Sequence, residues 1–306
     1  MVRHMTHADR VAQCVLDKFS ALPSKRKPQI RHNGLHEWVP LSGIVAEKGE
    51  EMRCLSLATG MKCLPAIKLS ASKGVGLHDW HAEILALRGL NRYLLDECNK
   101  VLDGDVSPFV ERTSSSLSGQ DDEEVSPFRI ADGVKLHMYC SEAPCGDASM
   151  ELTIAAQDDA TSWEEPPPLG DGMFLPGRAF FSRLGIVRRK PARGDAPPTM
   201  SKSCSDKIAL KQCTSLLSSI NALFVGARNS YIDTLILPDS QYSQEACQRA
   251  FSVHGRMAAL KNKKWGNNLA FRPFKIESTN LEFEHSRRSV AERANKISAS
   301  NLATLS

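Results

Sequence analysis

Apolar residues recur at helical spacing in RVAQCVLDKFSAL, from Arg10. WVPLSGIVAEK and MRCLSLATG then predict two strands around the charged turn EKGEEM. ASKGVG is a glycine-bearing loop, and from about Asp79 to Asp96 the pattern is helical, with Asp79 as its N-cap. KLHMYC, from Lys135, reads as a buried strand that runs into SEAPCGDASMELTIA, a turn and a short helix. SDKIALKQCTSLLSSINALFV is helical in pattern, TLILPD is a strand, and SQEACQRAF opens another helix. Strands alternating with helices predict an α/β sandwich. Two stretches interrupt this order: 99–133, which holds ERTSSSLSGQDDEEVSP, and 158–200, rich in Pro and Gly. Both are expected to be flexible insertions within a single domain, 1–306.

Composition narrows the class. With 306 residues, 42% of them hydrophobic, the chain can bury a substantial core. No apolar run has the length of a membrane span, and MVRHMTHADR carries no apolar signal segment. A soluble intracellular protein is expected, in nucleus and/or cytoplasm, with its nine cysteines reduced as core thiols or metal ligands. The net charge of +4 is unevenly spread. Arg178 to Lys211 holds nine Lys or Arg against two Asp, and His254 to the end holds ten against four acids. Such blocks suit a phosphate-bearing partner, although a solvated basic face would look the same.

Three segments each put a potential metal ligand where a loop enters a helix. They are His81 in HAEILALRGL, Cys145 in PCGD and Cys204 in SCSDK. A helix N-terminus carries unpaired N–H groups and partial positive charge, which favours the metal-binding thiolate. One imidazole and two thiolates around Zn²⁺ make a neutral site with one open position, the pattern of catalytic zinc. Glu83 stands in the same first turn as His81, placed to carry protons without being a ligand. Any one of these residues alone reads equally as a core thiol or an ordinary histidine; Cys14, Cys54, Cys63, Cys98, Cys140, Cys213 and Cys247 are read as core.

HAE followed by PCGD resembles the zinc-dependent nucleobase deaminases, whose signature is H-x-E … P-C-x-x-C with the Glu as general acid/base. Here Gly-Asp-Ala follows Cys145, and the second thiolate comes 59 residues later, from Cys204. That separation and CSDK resemble the adenosine deaminases that act on RNA. The resemblance is carried by TGMKC (59–63), HDWHAE (78–83), LHMYCSEAPCGDAS (136–149) and KSCSDKIA (202–209). YSQEACQRAF (242–251) and LEFEHSRRSV (281–290) are similar to the tRNA-specific branch. The resemblance implies a cytidine-deaminase-like three-layer α/β/α sandwich around a mixed sheet. It also implies hydrolysis of adenosine to inosine next to the anticodon of alanine tRNA. Zinc would be held by His81, Cys145 and Cys204, with Glu83 shuttling protons and ammonia leaving. The expected partner is a tRNA anticodon stem-loop, not DNA or a membrane, bound by a monomer. Lys62, and Arg193 in the basic run RRKPARGD, are candidates for substrate contacts.

Members of this family bury an inositol hexakisphosphate, and Lys207, Arg88 and Asp79 match positions that serve it. Leu87, Leu210 and Lys211 depart from the pattern of the RNA-editing relatives. The chain also ends at KISASNLATLS, where a further basic segment is expected, so polyphosphate binding is expected to be weak. Three other readings stand beside the first. One is a deaminase of another structured RNA. Another is a non-catalytic RNA-binding protein that keeps the zinc fold only. A third is a structural zinc domain with Cys140 as fourth ligand and no metal-bound water.

Overall fold

The computed structural model describes residues 5–113, 126–156, 175–176, 183–190 and 197–306. A six-stranded mixed sheet forms its centre. In chain order its strands are β1 (Leu41–Lys48), β2 (Glu51–Thr59), β3 (Val134–Cys140), β4 (Ile232–Pro238), β5 (Lys275–Thr279) and β6 (Thr304–Leu305). Across the sheet they run β5-β4-β3-β1-β2-β6. The β1–β2 hairpin is antiparallel, β1 and β3 are antiparallel, and β3, β4 and β5 are mutually parallel.

Period-two alternation sends side chains to both faces, and both are covered. On one side α1 (His7–Ser20) packs on Val45, Leu57, Tyr139 and Ile236. It sits so close that a Cβ on Gly43 would lie 2.7 Å from the Val15 side chain. On the other side, Ile44, Ala46, Leu136, Met138, Leu235 and Leu237 meet α2 (Ala82–Leu102) and α4 (Cys204–Thr214). Two shorter helices, α3 (Met150–Ala155) and α5 (Gln244–Phe251), and the small α6 (Arg287–Arg293) complete the layers. The result is the expected three-layer α/β/α sandwich. No helix among the described residues is long and apolar enough to cross a membrane.

Several details differ from the sequence pattern. The N-cap of the HAE helix is His81, not Asp79, which lies in a short strand (Asp79–His81) paired with Met61–Cys63. The α4 helix stops at Thr214 because Ser215 takes φ 60°. The apolar pattern continues past it because Leu216 and Leu217 still enter the core. Within 99–133, α2 runs on to Leu102, and Val110–Arg112 pairs with Phe128–Ile130. Within 158–200, Arg188 and Lys190 are buried, so that stretch supplies core as well as loop.

Candidate active site

His81 occupies the N-cap of α2, with extended backbone (φ −65°, ψ 142°) that turns its ring away from the helix. Cys204 is the first residue of α4, whose N-cap Ser203 accepts a hydrogen bond from the Asp206 N–H. Cys145 comes from the turn after β3, and the Cys204 N–H lies 3.3 Å from its sulfur. His81 Nδ1 is 3.8 Å from Cys145 Sγ and 3.5 Å from Cys204 Sγ. A tetrahedral zinc with ordinary Zn–N and Zn–S bonds separates such atoms by about 3.6 Å. The three donor atoms lie within 4.8 Å of one another and could hold that ion. Cys140 is fully buried in the core of β3 and is not in this group.

Gly146 is what lets the two thiol segments meet. Its φ is 103°, and a Cβ there would stand 2.2 Å from Ser203 Oγ. The neighbouring helix starts are then braced from α5. Arg249 binds the Asp147 carboxylate (3.1 Å), the Asp147 carbonyl (2.9 Å) and both carboxylate oxygens of Glu151. Arg256 pairs with Asp206 at 2.6 Å, at the first turn of α4. Arg249 of the YSQEACQRAF segment thus braces the Cys145 turn, and Arg256, just beyond α5, braces the Cys204 helix.

Beneath the donors lies a buried chain of charge. Lys190 Nζ donates to Asp79 Oδ2 (2.7 Å) and to Cys204 Sγ (3.1 Å). Lys207 donates to the same Asp79 oxygen, as does the Ser201 hydroxyl at 2.9 Å. Asp79 Oδ1 accepts the His81 N–H at 3.0 Å. Burial alone would raise the Asp79 carboxyl, but Lys190, His81 and Lys207 outweigh it and hold it well below the carboxylate range. Burial likewise opposes the Lys190 charge, yet Cys204, Cys145 and Asp79 keep it firmly protonated. Cys145 is pulled well below an ordinary thiol, first by its hydrogen bond with Cys204 and then, against burial, by Lys190 and His81. Glu83 is buried, and burial pushes its carboxyl upward against the attraction of His81.

Lys190 was not singled out by the sequence. It sits in RRKPARGD, read as a phosphate-contacting run, but faces inward onto Asp79 and Cys204. Arg188 of the same run is also buried, and Arg193 lies outside the described residues. Lys62 stands opposite Trp80 in the short strand pair that leads into His81. Lys207 reaches Asp79, whereas Arg88 is exposed on α2.

The adenosine-deaminase (editase) domain matches residues 56–303, which takes in every site residue just described. The chain belongs to that family. The chain is 37% identical over 289 residues to tRNA-specific adenosine deaminase 1 of Schizosaccharomyces pombe, covering 93% of this chain and 71% of that protein. It is 36% identical over 267 residues to the Saccharomyces cerevisiae protein of the same name, covering 83% and 64%. The double-stranded RNA-specific editase Adar of Drosophila melanogaster is 33% identical over 233 residues, 70% of this editase chain and 31% of that one.

Proposed function

We propose that this chain is a zinc-dependent deaminase that converts adenosine to inosine in tRNA, next to the anticodon of alanine tRNA. The observation that carries the reading is the convergence of His81, Cys145 and Cys204 beside buried Glu83. Zinc held by those three residues would supply Lewis acidity and bring the pKa of a water towards neutrality. Glu83 takes the proton released as water adds to C6 of adenine, then delivers it to the departing amine. Water and adenosine become inosine and ammonia. A carboxyl raised by burial suits this double duty, because it holds a proton more readily than a solvated one and can return it. Lys190 and Asp79 act from behind: they hold Cys204 and the His81 backbone in position.

A tRNA substrate is supported by the relatives' names, and a loop within it by chemistry. A loop base leaves its stack at lower cost than a paired one. Lys62, beside the strand that delivers His81, is well situated to meet a flanking phosphate. Lys207 and Asp79 would form one end of an inositol hexakisphosphate site, with Arg88 farther along α2; phosphate analysis of the purified chain tests this part separately. The whole reading is tested by incubating the chain with alanine tRNA and sequencing the anticodon loop for an adenosine-to-guanosine readout. Glu83→Ala should keep its zinc and lose conversion by a factor of about 10²–10⁴. Undiminished conversion by that variant would remove Glu83 from the mechanism.

A further inference from the structure

On the α1 side of the sheet the covered face turns polar at one end. β1, β3 and β5 there contribute Glu47, His137 and Glu277, and the first residue of α1 contributes His7. His137 Nε2 lies 3.1 Å from Glu47 Oε2, and His7 Nε2 lies 3.6 Å from the same oxygen. The other ring nitrogen of His7, Nδ1, is 2.9 Å from Glu277 Oε2. The two rings meet edge to face with centroids 4.8 Å apart. His137 is almost wholly buried, Glu47 largely so, and His7 keeps an opening to solvent.

His7 faces a carboxylate at each ring nitrogen. A neutral imidazole donates from only one nitrogen, so one of these contacts would set a lone pair against an anion. A proton or a metal ion at Nε2 removes the conflict, and the metal is favoured because His137 Nε2 converges on the same Glu47 oxygen. Nε2 then gives its lone pair to the metal, and Nδ1–H donates to Glu277, the usual way a carboxylate orients a metal-bound histidine. The spacing agrees: ligands of a tetrahedral zinc with N and O donors lie about 3.3 Å apart, between the two distances observed. The donor atoms of His7, Glu47 and His137 all fall within 4.8 Å of one another. Two imidazoles and a carboxylate are a donor set that zinc and its first-row neighbours favour.

We propose that His7, Glu47 and His137 form a second divalent-cation site of the zinc class, with Glu277 orienting His7. It is independent of the thiolate site and lies beneath the opposite face of the sheet. The ion ties the first turn of α1 to β1 and β3. His137 Nδ1 has no hydrogen-bond partner among the described residues, so this site lacks part of its outer shell and binds more weakly than the thiolate site.

The test is Co²⁺ titration of the metal-stripped full chain, followed by absorbance. Two equivalents are expected to bind. The tighter brings sulfur-to-cobalt charge transfer in the near ultraviolet, and the weaker adds visible bands without it. His7→Gln and Glu47→Gln should each weaken the second equivalent about tenfold or more and leave the charge-transfer band unchanged, which also reports that the chain is folded. If Glu47→Gln does not fold, His7→Gln, at a partly exposed position, decides alone. One equivalent in the unaltered chain, or a second equivalent indifferent to His7→Gln, overturns the proposal.

Discussion

The two histidine clusters lie on opposite faces of one sheet and are built in different ways. The cluster on the α2 side takes His81, Cys145 and Cys204 from turns and helix starts. The two cysteines are fixed by Gly146 and by salt bridges from Arg249 and Arg256 to their neighbours, and the His81 backbone is fixed by Asp79. The cluster on the α1 side takes Glu47, His137 and Glu277 from within strands, where only side-chain rotamers aim them. The first is closed by a buried Lys190–Asp79 pair, while the second opens to solvent at His7. The contrast teaches where precision resides. A reacting centre is set on backbone that cannot move, and a fastening point needs only side chains that can meet.

If that contrast is right, substitutions should hurt the α2 side far more. Lys190→Met leaves the Asp79 carboxylate, 3% exposed, with one cation fewer and removes a donor to Cys204. It should destabilise the chain by about 3–5 kcal/mol in denaturant unfolding. Its counterpart Glu277→Gln, on a side chain 36% exposed, should cost less than about 1 kcal/mol. Equal losses would break the comparison. Next in size, Gly146→Ala forces a Cβ against Ser203 Oγ at φ 103° and should cost about 2 kcal/mol. Zinc affinity should fall with it, and adding Ser203→Ala should not restore it, because the Cβ at 203 would still stand 2.5 Å away and the backbone strain remains.

The smallest effect is one of pH. Burial raises the Glu142 carboxyl from 4.5 to about 7, against the Arg287 N–H it accepts and reinforced by Glu282. The folded state therefore binds more protons than the unfolded state between those values, so this group's contribution to stability falls as pH rises through them. Glu142→Gln should stabilise the chain by about 1–2 kcal/mol above pH 7, by thermal or denaturant unfolding, and make no difference below about pH 4. A gain that persists in acid would assign the effect to packing instead of charge.

The chemistry of the site was more legible than its support. His81, Cys145, Cys204 and Glu83 carry side chains whose chemistry is specific, each beside a helix start that the pattern locates. The fold followed from short apolar runs bounded by turns in β1, β2, β3 and β4 and from helical spacing in α1, α2 and α5. Lys190 was not legible, because a lysine among arginines and prolines looks the same whether it meets water or a carboxylate 111 residues away. Asp79 was readable as a cap but acts as an acceptor for two lysines, a role set by tertiary contact. The end of α4 was missed for a similar reason. Leu216 and Leu217 are buried by packing after the helix has stopped, and periodicity cannot tell those cases apart.

The Asp79 carboxylate has one more consequence, in the order of events by which the chain folds. It joins Lys190 and Lys207 across 111 and 128 residues of chain. Closing loops of that length costs entropy before any contact repays it, so such contacts form late. The β1–β2 hairpin needs only its neighbours in sequence. A nascent chain can therefore form that hairpin early, while the pocket acquires its charge balance only after α4 has been synthesised and docked. Until then the thiols of Cys145 and Cys204 have neither Lys190 nor each other, and the window in which they are open to oxidation is set by the speed of that last closure.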